Sequence, residues 1–89
     1  MNIYITNPDI MTYDAEIQLI ECLANFEGIP HHRITPTHPF FKTYFKGGRP
    51  AVLIYGDNGY LGDNIGPDEL VYGFWQFARY LDKNGYTKL

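Results

Sequence analysis

Residues 2–17, "NIYITNPDIMTYDAEI", pass from a strand pattern to a helix pattern in one stretch. Asn2 to Thr6 are short, nearly continuously apolar, and rich in β-branched and aromatic residues, as in a strand covered on both faces. Asn7-Pro8-Asp9 break it. From Ala15 onward, apolar residues recur at Ile17, Ile20, Leu23 and Ala24, with Leu19 alongside, which is helical spacing. Thr12 or Asp9 is expected to cap this helix, Asp14 and Glu16 suit its positive end, and Gly28 marks its stop. A helix start just beyond a strand presents N–H groups that favour an anion. This one offers Met11, Thr12, Tyr13 and Asp14, and no strong nucleophile.

Further along the chain, Ile29 to Thr35 reads as a second strand, and Pro30 places it at an edge or a strand start. Pro39 suits the first turn of a short helix, "PFFKTYFK", stopped by Gly47-Gly48. Ala51 to Tyr55, "AVLIY", is the strongest strand pattern in the chain. "GDNG" follows as a hairpin signal, with Tyr60-Leu61 expected to begin the return strand. Pro67, Asp68 and Glu69 are expected to open the last helix. Its core stripe is Leu70, Phe74, Phe77, Ala78 and Leu81, with Trp75 beside it, and Asn84-Gly85 end it. The order is β-α-β-α-β-β-α. A parallel first βαβ unit followed by an antiparallel hairpin fits one four-stranded mixed sheet flanked by helices.

The 89 residues carry 45% hydrophobic and 17% aromatic side chains, which points to one folded α/β domain over residues 1–89. A formal charge of −3 argues against a nucleic-acid partner, whose non-specific affinity needs a cationic surface. No apolar run approaches the ~20 residues that span a bilayer, and no leader is visible, so a cytoplasmic protein without a membrane role is expected. The single cysteine, Cys22, cannot form an intramolecular disulfide.

This order, at this length, resembles the glutaredoxin branch of the thioredoxin-like fold, from Met1 to about Leu81. Three places carry the resemblance: the strand, loop and long helix of "NIYITNPDIMTYDAEIQLIECL"; the proline directly before the third strand in "GGRPAVLIYGDNGYLG"; and the Gly-containing loop before the last helix in "LGDNIGPDEL". The family places C-x-x-C where its first helix begins, and the helix N-terminus there activates a thiolate. Laid on this chain, those positions fall on Met11, Thr12, Tyr13 and Asp14. Met11 and Asp14 replace the two cysteines, and Tyr13 matches the family's frequent tyrosine. The resemblance therefore implies a kept scaffold without dithiol chemistry. It also implies a cis peptide at Arg49-Pro50, whose backbone would face the old active-site cleft and could hold glutathione or a similar peptide ligand, helped by Arg49 and by Lys42 or Lys46.

Cys22 lies two to three turns into the helix at about 3.6 residues per turn, without a cationic neighbour in sequence, and reads as an inert, partly buried residue. His31, His32 and His38 do not form a metal pattern, because adjacent strand residues point to opposite faces. Tyr72, Tyr80 and the Phe40/Phe41 pair are the candidates for exposed aromatics that would suit a protein partner or self-association. Three functions stay open: a redox-inactive protein-binding module using Met11, Thr12, Tyr13, Asp14, Arg49 and Pro50; a binder of glutathione or a related small peptide; and an enzyme using Cys22 as a single thiol or Asp14 as a base. No catalytic, metal or resident cofactor set is legible. The absence of a dithiol weighs against the enzyme.

Overall fold

The structure is a computed structural model, and it describes residues 1–56 and 65–86. Seven elements follow in order: β1 (Asn2–Thr6), α1 (Met11–Phe26), β2 (His31–Ile34), α2 (Pro39–Tyr44), β3 (Ala51–Tyr55), β4 (Glu69–Tyr72) and α3 (Gly73–Lys83). The sheet order is β2-β1-β3-β4. β1 runs parallel to β2, and β3 is antiparallel to both of its neighbours, β1 and β4. The mixed four-stranded sheet, its central β1 and β3, and the edge position of β2 all agree with the sequence pattern.

Alternation within the strands sorts the core into two layers. Ile3 and Ile5 of β1, with Val52 and Ile54 of β3, face Ile17, Ile20 and Ala24 of α1 and Phe77 and Leu81 of α3. Leu53 and Tyr55 face the other way, where Tyr4, Phe40, Phe41 and Tyr44 cover them. β3 is buried along its whole length, which is why its five residues are apolar without alternation.

Two boundaries differ from expectation. The chain from Glu69 to Tyr72 is a strand, so Leu70 lies in β4 and the last helix starts at Gly73 instead of Pro67. Asp68 does not open a helix. Its N–H donates to Ile54 O at 2.9 Å, and its Oδ2 accepts from Gly56 N at 2.7 Å, pinning the β3–β4 connection. The third place of the family resemblance, "LGDNIGPDEL", therefore does not precede the last helix directly. Tyr60-Leu61, expected to begin the return strand, lies outside the described residues.

The start of α1 also differs. Ile10 is its N-cap residue, and no side chain caps it, so neither Thr12 nor Asp9 fills that role, while Asp14 lies in the first turn as expected. Asp9 sits instead in a left-handed turn at φ 60°, its N–H donating to Asn7 Oδ1 at 3.0 Å. An aspartate tolerates that conformation through such local bonding.

Candidate functional site

The end of β1 and the start of β3 are joined by a side chain. Thr6 Oγ1 accepts from Ala51 N at 2.7 Å and donates to Ala51 O at 3.2 Å. The hydroxyl extends the ladder one step beyond the last paired residues, Ile5 and Val52. This brings the loop after β1 beside the loop before β3, as the sheet topology predicts.

Across that junction, Tyr13 Oη accepts the Gly48 N–H at 3.1 Å, and the Tyr13 ring meets Phe45 edge to face at 5.6 Å. Pro50 is buried, and its carbonyl accepts from Gly73 N at 2.8 Å. Glu16, one turn beyond Thr12 on α1, reaches the start of α3. Its Oε2 accepts from Phe74 N at 2.9 Å and lies 3.7 Å from Arg49 Nη1. A carboxylate beside a helix N-terminus is favoured by the unpaired N–H groups and the dipole there. Gly73 is required at this corner. Its φ is +82°, and a Cβ would stand 2.6 Å from Glu16 Oε2 and 3.1 Å from Arg49 Cδ.

The predicted site residues thus come together in part. Tyr13 and the Arg49-Pro50 turn share one junction, with Thr12 and Asp14 on the same first turn of α1. Met11 projects outward at 84% exposure beside Ile10 at 50%. The Arg49–Pro50 peptide is trans, which corrects the expected cis bond. The isomer of an X-Pro bond is set by tertiary context. Arg49 faces Glu16 across the corner, and Lys42 and Lys46 are exposed on and just beyond α2.

Other candidates fall differently. Cys22 is exposed, not partly buried, because it lies off the Ile17-Ile20-Ala24 stripe. His31 Nδ1 bonds Ile29 O at 3.1 Å while His32 stacks on Tyr4 at 5.1 Å, so the two rings do point apart. His38 is the N-cap of α2, its Nδ1 accepting from Phe40 N at 3.0 Å. Among the described residues no cluster of three or more His, Cys, Asp or Glu side chains could hold a metal ion, and no helix is long and apolar enough to cross a membrane. Tyr72, Tyr80, Phe40 and Phe41 are all half-buried. Among the described residues the exposed aromatics are Phe26 at 64% and Trp75 at 73%.

Sequence reading missed Glu16, Gly73 and Thr6, the residues that hold the junction together. The only sequence signal for Glu16 was its place in the first turns of α1, which suggested a role at its own helix start and not at that of α3. The chain matches no model of a known protein family, no curated protein and no solved structure.

Proposed function

We propose that this chain is a redox-inactive, glutaredoxin-like domain that serves as a protein-binding module, its contact surface built on the degenerate cleft at Met11, Thr12, Tyr13, Asp14, Arg49 and Pro50. The observation that carries the proposal is internal satisfaction of the cleft. The groups that an extended peptide or a carboxylate would use are already engaged: Gly48 N–H by Tyr13 Oη, Phe74 N–H by Glu16, and Arg49 by the same carboxylate. Exposed apolar side chains, Ile10 and Met11, border them. Such a surface suits the side chains of a protein better than an anionic small molecule. Methionine adapts to varied contacts, and tyrosine is enriched at interfaces. The β-α-β-α-β-β-α order and the 2-1-3-4 sheet support the glutaredoxin-like scaffold. The trans Arg49–Pro50 bond removes the backbone arrangement on which glutathione binding was expected to rest.

Two measurements test this. Titration with glutathione, followed at the Gly48, Arg49 and Phe74 amide resonances, should leave them unmoved, and saturable shifts at all three would replace the protein-binding proposal with a small-ligand one. In an insulin or glutathione-coupled reductase assay the protein should match the buffer blank. Activity that disappears with Cys22→Ser would establish a reactive thiol and refute the redox-inactive assignment.

A further inference from the structure

The sheet ends on β4, and the way β4 pairs with β3 leaves a row of its backbone groups facing outward. Gly73 N donates to Pro50 O, directly opposite it in the register that sets Ala51 against Tyr72. Bonded pairs alternate along an antiparallel ladder, so Val71 and Glu69 turn their N–H and C=O toward β3, and Leu70 and Tyr72 turn theirs away. Two contacts agree with that phase. Ala51, opposite Tyr72, directs its own N–H and C=O to Thr6 on the β1 side. The Tyr72 N–H donates outward to Gln76 Oε1 at 2.8 Å. Gln76 is exposed, so an amide carbonyl already stands where the carbonyl of an added strand would stand. Among the described residues no strand pairs with this edge, and the outward groups of Leu70 have no partner. Such a row is a template for another strand.

Beside the edge lies an open groove of about 540 Å³, with Glu69 and Val71 along the strand and Gln76, Arg79, Tyr80 and Lys83 along α3. Gln76 is held at the Tyr72 end, and Tyr80 and Asn84 share a hollow with Asp68 at the other, so α3 carries Arg79 and Lys83 back along β4. Both cations are exposed, and among the described residues neither makes an ion pair. Asp82 lines a different hollow, beside Trp75. Two cations against the single Glu69 carboxylate leave the groove one positive charge in excess, which one acidic side chain cancels. Directly opposed residues of paired strands share a face, so an added strand sends the side chains opposite Glu69 and Val71 into the groove. Like charges directly opposite repel, which puts the acid opposite Val71 and not opposite Glu69. A second copy of β4 fits less well, because it would bring another Arg79 and Lys83 to the same edge with only one Glu69 to set against them.

We propose that the outer edge of β4 is a strand-addition site for an extended acidic segment of a partner protein, which pairs antiparallel with Leu70 and Tyr72 and sets an acidic side chain opposite Val71, against Arg79 and Lys83. The proposal does not rest on the Met11–Tyr13 corner. A blocked synthetic peptide with one glutamate between valines and threonines, titrated into the isotope-labelled full chain, tests it. The peptide should give saturable shifts at the Leu70 and Tyr72 amides and should slow hydrogen exchange at Leu70, whose N–H gains a partner. Its glutamine counterpart should bind about two- to fivefold more weakly, the worth of an exposed ion pair. A counterpart methylated on alternate backbone nitrogens should not bind. Gln76→Ala frees the Tyr72 N–H and should tighten binding about two- to tenfold, the worth of one hydrogen bond. The Arg79→Glu, Lys83→Glu double variant should prefer the lysine counterpart to the glutamate peptide. Absence of saturable shifts at millimolar peptide overturns the proposal. Binding that ignores backbone methylation, or leaves Leu70 exchange unchanged, is ion pairing without strand addition and overturns it as well. Equal affinity for the glutamate and glutamine peptides overturns the acidic requirement, and an unchanged affinity in Gln76→Ala overturns the pairing at Tyr72. A chain that dimerises alone and thereby slows Leu70 exchange gives the edge to a second copy and also overturns the proposal.

Discussion

Replacing Thr6 by valine removes one oxygen and keeps the side-chain shape, yet it strips partners from two buried groups. Thr6 and Ala51 are both wholly buried, so neither the Ala51 N–H nor its C=O can turn to water instead. The bonds lost are 2.7 Å and 3.2 Å long and join positions 45 residues apart. Leaving a buried backbone group unsatisfied costs about 1–3 kcal/mol, and two such groups in one place make about 2–6 kcal/mol the expected loss. That is a large part of the roughly 5–15 kcal/mol that holds a domain folded. Thr6→Ser keeps the hydroxyl and loses one buried methyl, for about 1 kcal/mol. Urea unfolding followed by far-UV circular dichroism separates the two. With a slope of about 1 kcal/mol per molar urea, the valine variant should unfold at least about 1 M earlier than the serine variant. A valine variant as stable as the wild type, or less damaging than serine, would show that the hydroxyl is not what closes the β1–β3 junction.

Other consequences follow from single contacts. Tyr13→Phe should cost about 0.5–1.5 kcal/mol or less, given the exposed acceptor site, and should speed amide exchange at Gly48 specifically, as read by NMR. The Glu21 carboxyl is lowered below its ordinary value of 4.5, first by its hydrogen bond from Arg33, with Nη2 at 2.7 Å from Oε1. A depressed carboxyl stabilises the folded state above its unfolded pKa and loses that contribution as pH falls through the folded value. Because Arg33 is 38% exposed, Glu21→Gln should cost under about 1 kcal/mol at pH 7 and nothing once both proteins are well below the carboxylate range, as urea midpoints at the two pH values would show. Burial pushes the Tyr55 phenol up to about 12, and its hydroxyl donates to Ile65 O at 2.6 Å. A raised phenol favours the folded state below the unfolded pKa of 10.0, and that advantage disappears as pH rises toward 12. Tyr55→Phe should therefore flatten the alkaline limb of the stability profile, measured by thermal melts.

The parts of the fold that were legible are those written in local pattern. An unbroken apolar run at Ala51–Tyr55 reads as a buried strand, and Pro30 before a short histidine-containing strand places that strand at an edge or marks its start. The misread segment, Pro67–Tyr72, carries good helix-start chemistry, but pairing of Val71 and Leu70 with Val52 and Leu53 draws it into the sheet. Local propensity lost there to long-range hydrogen bonding. Phe26 and Trp75 show a second limit. Periodicity finds apolar stripes on a helix but does not say which of two adjacent stripes meets the core. The cleft was legible as a place and not as a set of bonds. Tyr13 and Gly48 are 35 positions apart, and Glu16 and Phe74 are 58, so no spacing rule links them. The isomer of Pro50 was equally beyond the sequence, since the surrounding fold selects it.

The central claim is that the Met11–Tyr13 corner makes contacts with a protein and performs no chemistry. It is tested most directly by recovering a partner from the native cell with the wild-type chain, identifying it, and titrating the purified pair by calorimetry against wild type and the Met11→Ala, Tyr13→Ala double variant. With the fold of the variant verified by circular dichroism, the account predicts a loss of affinity of at least about tenfold, or 1.4 kcal/mol. An unchanged affinity would place the interface elsewhere and contradict the claim.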